Sequence, residues 1–163
     1  MTTQTYTITV NYDKSVEDLI KLGKYDWVNS NITSQHFPSD EKGKKEIEVT
    51  LIGYKKKHSS EFVLENIKKH GCRPATLKEL LSLGKQYPDL QKKDWIIVFG
   101  SQWRSPSGGL GVPCLGRHGT YRGLSLSWLE GTWGPFWRFA AVRKSLSPLK
   151  TKDTSDTLTI AKP

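Results

Sequence analysis

Every segment from Asp94 to Lys144 reads as a short strand or a glycine-rich turn, and every helical pattern lies before it. "DWIIVFGSQW" (94–103) is a continuous apolar run, the mark of a strand covered on both faces. "SPSGG" (105–109) is a turn, and "GSQWRSPSGGLG" as a whole reads as a hairpin. "LGVPCLG", "RGLSLSW" and "FWRFAAVRK" are three further short strands separated by glycine-rich turns. A chain of this pattern must pack its early helices against a sheet completed late, which is the α+β class.

The earlier half supplies those helices. "TYTITVNYD" (5–13) alternates as a strand. In "SVEDLIKLG" (15–23), Ser15 is placed as an N-cap, Val16, Leu19 and Ile20 form the apolar stripe, and Gly23 is the stop signal. Residues 24–45 have little periodicity and read as a long loop. The sequon at Asn31-Ile32-Thr33 reads as chance. "KEIEVTLIGY" (45–54) is a strand with Ile47, Val49 and Leu51 on one face and Glu46, Glu48 and Thr50 on the other. Residues 55–71 form a helix started by Ser59 or Ser60, with Phe62, Val63 and Ile67 inward and Gly71 at its end. Lys55, Lys56 and Lys57 read as a solvated strand end. Residues 72–90 give the clearest helix. Thr76 and Glu79 make a T-x-x-E capping box, Leu77, Leu80, Leu81 and Gly84 line one face, and Tyr87-Pro88 closes it.

At 163 residues the chain is long enough for one domain with a substantial core. We therefore expect a single α+β domain over 1–144, made of a strand–helix–strand–helix portion (5–71) and a second portion (72–144). The polar tail, 145–163, reads as disordered. No apolar run approaches the roughly 20 residues needed to span a bilayer. The first fifteen residues lack the pattern of a secretory signal, so a cytoplasmic location is expected. Cys72 and Cys114 form neither a disulfide framework nor a CxxC metal site and read as buried thiols.

Net charge is +9, which permits nucleic acid, an acidic protein or an anionic surface as partner. Its distribution is uneven. Residues 95–144 hold six basic residues, Arg104, Arg117, Arg122, Arg138, Arg143 and Lys144, against the single acid Glu130.

Signals for chemistry are weak. His36, His58, His70 and His118 show no metal-ligand spacing. There is no GxSxG, Walker or HExxH motif. Asp40 and Glu48 stand near lysines ahead of a strand, but the acid-x-Lys pair of a metal-dependent nuclease is missing. The glycine-rich 100–111 segment is followed by no helix whose N-terminus could hold a phosphate. Asp26, Asn29, Asn31, His36 and Asp40 in the long loop are the sole support for an enzyme, and that composition equally suits a loop bonding its own backbone. The expectation is a protein that is not an enzyme and uses no metal or cofactor.

Trp128, Trp133 and Trp137 fall within ten residues. Strict alternation puts Leu124, Leu126 and Trp128 on one face, and burial at roughly 1.5–3 kcal/mol per large apolar side chain places that face inward, Trp128 included. Trp133, between glycines, reads as packing. "FWRFAAVRK" has two competing registers with apolar groups in both, which predicts a central strand. The alternate side chains and the loops 116–123 and 129–137 combine aromatics, arginine, serine and glycine, the composition of adaptable binding loops.

With "RPATLKEL" opening a helix, "WIIVFGSQW" as the next strand and "WRFAAVRK" at the end, the chain resembles the C-type-lectin-like fold in its formylglycine-generating-enzyme and retroelement-diversified variants. The stretches "KYDWVNSNIT", "RPATLKELL", "GSQW" and "RFAAVRK" are also similar to those of a family of small uncharacterised bacterial proteins. The resemblance implies a mixed or antiparallel sheet with two to three helices, strongest over 72–144. In diversified variable proteins the ligand-contacting positions lie on the last strands and loops, which correspond to 104–137 here. The matching outward positions are Arg117, His118, Tyr121, Ser125, Ser127, Leu129, Glu130, Phe136 and Trp137. Calcium-dependent sugar binding is not carried over, because 95–144 has one acid and no Asn where a hard cation wants about six to eight oxygens. The formylglycine-generating activity is not carried over either, since Cys72 and Cys114 lack the paired context. The expected function is a non-enzymatic module displaying 104–137 to a protein ligand, with Arg117, Tyr121, Phe136 and Trp137 on one contiguous patch. The alternative is a basic nucleic-acid-binding protein in which arginine meets phosphates and aromatics stack on bases.

Overall fold

The computed structural model describes residues 1–144; the tail read as disordered lies outside the described residues. In chain order the elements are β1 (Thr2–Asn11), α1 (Val16–Gly23), β2 (Trp27–Val28), β3 (Lys44–Gly53), β4 (His58–Ser59), α2 (Ser60–Lys69), β5 (Cys72–Pro74), α3 (Leu77–Gln86), α4 (Leu90–Lys93), β6 (Trp95–Ile97), β7 (Trp103–Arg104), β8 (Leu110–His118), β9 (Tyr121–Trp128), β10 (Thr132–Trp133) and β11 (Trp137–Arg143). The α+β class holds, with four helices among the described residues where two to three were expected; the fourth is one turn long. No helix among the described residues is long and apolar enough to cross a membrane.

One large mixed sheet runs in the order β1-β3-β11-β6-β8-β9-β2, with β5 beside β11 and β7 beside β8. The last strand, β11, is inserted between β3 (antiparallel) and β6 (parallel). That explains its two apolar registers: Ala140 and Val142 enter the core on one side of the sheet, Phe139 and Ala141 on the other. α1 and α3 cover the first side with Val16, Leu19, Leu77, Leu80, Leu81 and Leu83 against Ile8, Val10, Val49, Ile96, Leu115 and Leu124. α2 covers the second with Val63 and Ile67 against Ile52, Ile97, Cys114 and Phe139.

Local signals set most helix ends. The Ser15 hydroxyl accepts from the Asp18 N–H at 3.1 Å, and the Ser59 hydroxyl from the Phe62 N–H at 3.2 Å. Gly71 leaves α2 with φ +71. At α1 the left-handed residue is Lys24 (φ 53) and not Gly23. Gly23 is required for space instead, because a Cβ there would run into the Tyr25 ring.

Glu79 caps α3, accepting from the Thr76 N–H at 2.8 Å, and it is also fully buried. Its carboxylate takes two hydrogen bonds from Arg73 and one from the Tyr12 hydroxyl, joining β5, α3 and the end of β1. Burial pushes this carboxyl up, but the bonds from Arg73, Tyr12 and Thr76 outweigh burial and hold it below its ordinary value.

Several expectations are corrected. Residues 72–74 are a strand on β11 and not the start of a helix. The apolar run 94–103 forms two short strands around a bend, although Val98 and Phe99 stay buried. The loop 24–45 contains β2, a two-residue strand parallel to β9. Phe62 is 44% exposed and stacks on His58 at 3.9 Å, because the inward stripe of α2 runs through Val63 and Ile67. Trp128 is 47% exposed and not core. Helical cover thins along β9: Leu124 is buried, Leu126 is half-buried, and at Trp128 the strand has passed beyond it. Trp133 packs as expected, buried, with its indole N–H donating to the Ser60 hydroxyl at 2.8 Å.

Candidate functional site

The expected site residues separate into two groups along the β8–β9 hairpin. The paired strands register from His118↔Tyr121 at the tip to Gly111↔Trp128 at the base. Seven residues at about 3.3 Å each put roughly 23 Å between those ends. Arg117, His118 and Tyr121 belong to the tip; Ser127, Leu129 and Glu130 belong to the base, with Ser125 between them.

The base group is spoken for by the fold. The Glu130 carboxylate accepts from the Leu110 N–H at 3.0 Å. Leu129 is half-buried in the second core cluster, and its carbonyl accepts from the Ser60 hydroxyl at 2.6 Å. With Trp133 on the same hydroxyl and β10 paired to β4, the loop 129–133 is latched to the start of α2. Ser125 and Ser127 are half-buried, and the Ser127 hydroxyl lies 3.6 Å from the Cys114 sulfur. Burial pushes the Cys114 thiol up to about 12, so it has no nucleophilic character near neutral pH.

Of the tip group, Arg117 lines one depression with Phe136 and Trp137, whereas His118 and Tyr121 are not among its lining residues. Parallel pairing of β6 and β11 sets Trp95 beside Trp137, ring centres 5.6 Å apart. Trp133 props Trp137 edge-on from below at 4.9 Å, and His118 meets the Trp95 ring edge-on at 6.1 Å. Trp95 can lie flat here because its neighbour on β8 is Gly116, where a Cβ would collide with the indole. One strand further, Trp27 lies over Gly123, where a Cβ would meet its ring only at ordinary contact distance, and is half exposed. Alternation puts Trp27, Tyr121, His118, Trp95 and Trp137 on one face of the sheet.

Trp95, Phe136 and Trp137 line an open depression of about 540 Å³ together with Gln91, Lys93, Asp94 and Arg117. Phe136 is 75% exposed and Tyr121 66%. Asp94 is engaged by Arg138 at 3.6 Å, while Lys93 and Arg117 form no ion pair among the described residues. Arg117 instead donates to the Gly119 carbonyl at 3.0 Å, folding over the hairpin turn. The depression is thus aromatic in its walls and positive at its rim.

No protein-family model, curated protein or solved structure matches this chain. What the site can do rests on its own geometry.

Trp95, Gln91 and Trp27 were not among the residues expected from sequence. Trp95 sat inside an apolar run that reads as core, and only the glycine opposite it on another strand reveals an open ring. Gln91 gives no signal at all in a short charged stretch. Arg122, counted above with the basic residues, does not face a ligand. Its side chain is buried and donates to the carbonyls of Gly23 and Gly84, both at 2.8 Å, and lies over the Tyr25 ring. Three of the five long-loop residues are occupied as well. Asp26 accepts from the Arg122 N–H, Asn29 from the Asn31 N–H, and His36 stacks on Trp103. Among the described residues no group of three His, Cys, Asp or Glu side chains is placed to hold a metal.

Proposed function

We propose that this protein is a non-enzymatic binding module, a lectin-like scaffold that presents the tip of the β8–β9 hairpin and the 134–137 segment to a ligand. The observation that carries this reading is the convergence of Arg117, Phe136 and Trp137 with Trp95 on one exposed depression. The lectin-like description is supported by the Arg73-Pro74-Ala75-Thr76 segment, which runs from β5 to the N-cap of α3, and by β11, which returns to the middle of the sheet.

Two ligand classes suit an aromatic seat. A protein ligand would insert an apolar side chain between Phe136 and Trp137. Nucleic acid is favoured by a specific feature: the two rim cations, Lys93 and Arg117, have no acidic partner among the described residues, and the one lining acid is already paired. Aromatic faces flanked by free cations are the two components of sequence-tolerant single-strand binding.

The test is the affinity for a labelled single-stranded oligonucleotide at 50 and 200 mM salt. Binding should weaken steeply with salt, with a log–log slope of about −0.7 for each phosphate neutralised. Arg117→Ala should make that slope shallower. Absence of binding at 50 mM would overturn the nucleic-acid reading and leave the protein ligand.

A further inference from the structure

Gln91 is 2% exposed, yet it is one of the residues lining the depression. Its amide nitrogen donates to the Gly116 carbonyl at 2.8 Å and to the Gly123 carbonyl at 3.1 Å, bridging β8 and β9. This fixes the orientation of the amide, since the flipped form would set its oxygen against two carbonyl oxygens with no proton between them. The oxygen, Oε1, is buried and has no hydrogen-bond partner among the described residues. A buried acceptor left without a donor is costly, and native structures supply the donor from protein, ordered water or a ligand. Oε1 is covered in the free protein, so a ligand donor reaches it only when the side chains that line the depression shift.

Three properties of a complementary ligand follow. The indoles of Trp95 and Trp137 and the ring of Phe136 call for a flat π-face. Gln91 Oε1 calls for an N–H or O–H donor on that flat group. Arg117 and Lys93, unpaired at the rim, call for an anion attached to it. A depression of about 540 Å³ lies within the range of sites that hold a small molecule. A tyrosine or tryptophan side chain offers the first two properties, but not the attached anion. A nucleotide offers all three in one unit.

We propose that the depression seats the base of a single nucleotide unit, with the ring against Trp95, Trp137 and Phe136, a base N–H donating to Gln91 Oε1, and the phosphate met by Arg117 and Lys93. This rests on the binding-module reading and names the chemistry of the same site. The unit can be a free nucleotide or one residue of a single strand. The seat's chemistry is shared by both, and the test separates them.

The experiment titrates the full chain with the four nucleoside 5′-monophosphates, the matching nucleosides and the matching homo-oligonucleotides, reading tryptophan fluorescence and equilibrium dialysis. At least one monophosphate should bind and quench fluorescence, and its nucleoside should bind roughly tenfold more weakly or worse. Phe136→Ala and Trp137→Ala should each lose about tenfold or more. The Gln91 contact is tested on the unaltered protein, since replacing a buried residue could disturb the sheet. A base N-methylated until no base N–H remains should bind about tenfold more weakly than its parent. A mononucleotide as tight as the oligonucleotide identifies the free nucleotide; a much tighter oligonucleotide identifies a strand.

Equal binding of the fully methylated base overturns the role of Gln91. Oligonucleotide binding that Phe136→Ala and Trp137→Ala leave unchanged overturns the nucleotide seat, while nucleic-acid binding elsewhere on the chain survives. If neither monophosphates nor oligonucleotides bind at 50 mM salt, the seat and the nucleic-acid reading fall together.

Discussion

Glu79 shows how one residue can act as a helix cap and as the centre of a buried polar knot. The T-x-x-E spacing announces the cap, but nothing local announces that Arg73 and Tyr12 will converge on the same carboxylate. Glu79→Ala should cost about 3 kcal/mol at pH 7, the low end for breaking a buried pair, because Arg73 is a third exposed and can be hydrated. The pH dependence has a defined sign. The folded carboxyl is held below its ordinary value, so its contribution is complete above the unfolded value of about 4.3 and is lost as pH falls through the folded one. Urea unfolding of the native chain and Glu79→Gln at pH 7, 5, 4 and 3 should show a gap that is constant down to pH 5 and closes below about pH 4.3. A gap that widens in acid would mean that the carboxyl is not the stabilised form.

At the scale of the element, sequence patterns recover the long strands and helices and miss the short ones. β8, β9 and β11 were legible because each is a full run of alternation or apolar residues between glycines. β2 and α4 are two and four residues long, too short for any period to register. Trp128 was misplaced for a related reason. Alternation fixes which side of a strand a residue occupies, but not how far along that strand its cover extends. Part of the candidate site was hidden as well. Phe136, Trp137 and Arg117 were reachable from the sequence, while Trp95 enters through pairing of β6 with β8 and Gln91 through its bonds to the Gly116 and Gly123 carbonyls. Gly116 is the residue on which this element-level arrangement turns. Gly116→Ala should force the Trp95 indole off the strand, cost about 1–3 kcal/mol and change the near-UV circular dichroism. A spectrum and melting temperature equal to those of the native chain would show that the indole is not seated there.

Across the whole molecule, the two portions read from the sequence do not occupy separate halves. β1 and β3 come from the first, β6, β8 and β9 from the second, and β11 joins them. Arg122 adds a second tie, from β9 to the ends of α1 and α3. A chain ending at Pro135 should therefore lose cooperative unfolding altogether, as read by a denaturant titration followed by tryptophan fluorescence; two-state unfolding of that fragment would show that β3 and β6 find another way to close. The position of the last strand also bears on how the protein is made. Until residues 137–143 leave the ribosome, the hydrogen-bonding edges of β3 and β6 face each other across an empty slot, with apolar surface bare on both sides. The nascent chain must wait for residues 137–143 before the sheet can close. Synthesis is thus the period of greatest exposure to aggregation, and a chaperone that shields unpaired strands would act on the ribosome-bound chain more than on the finished protein.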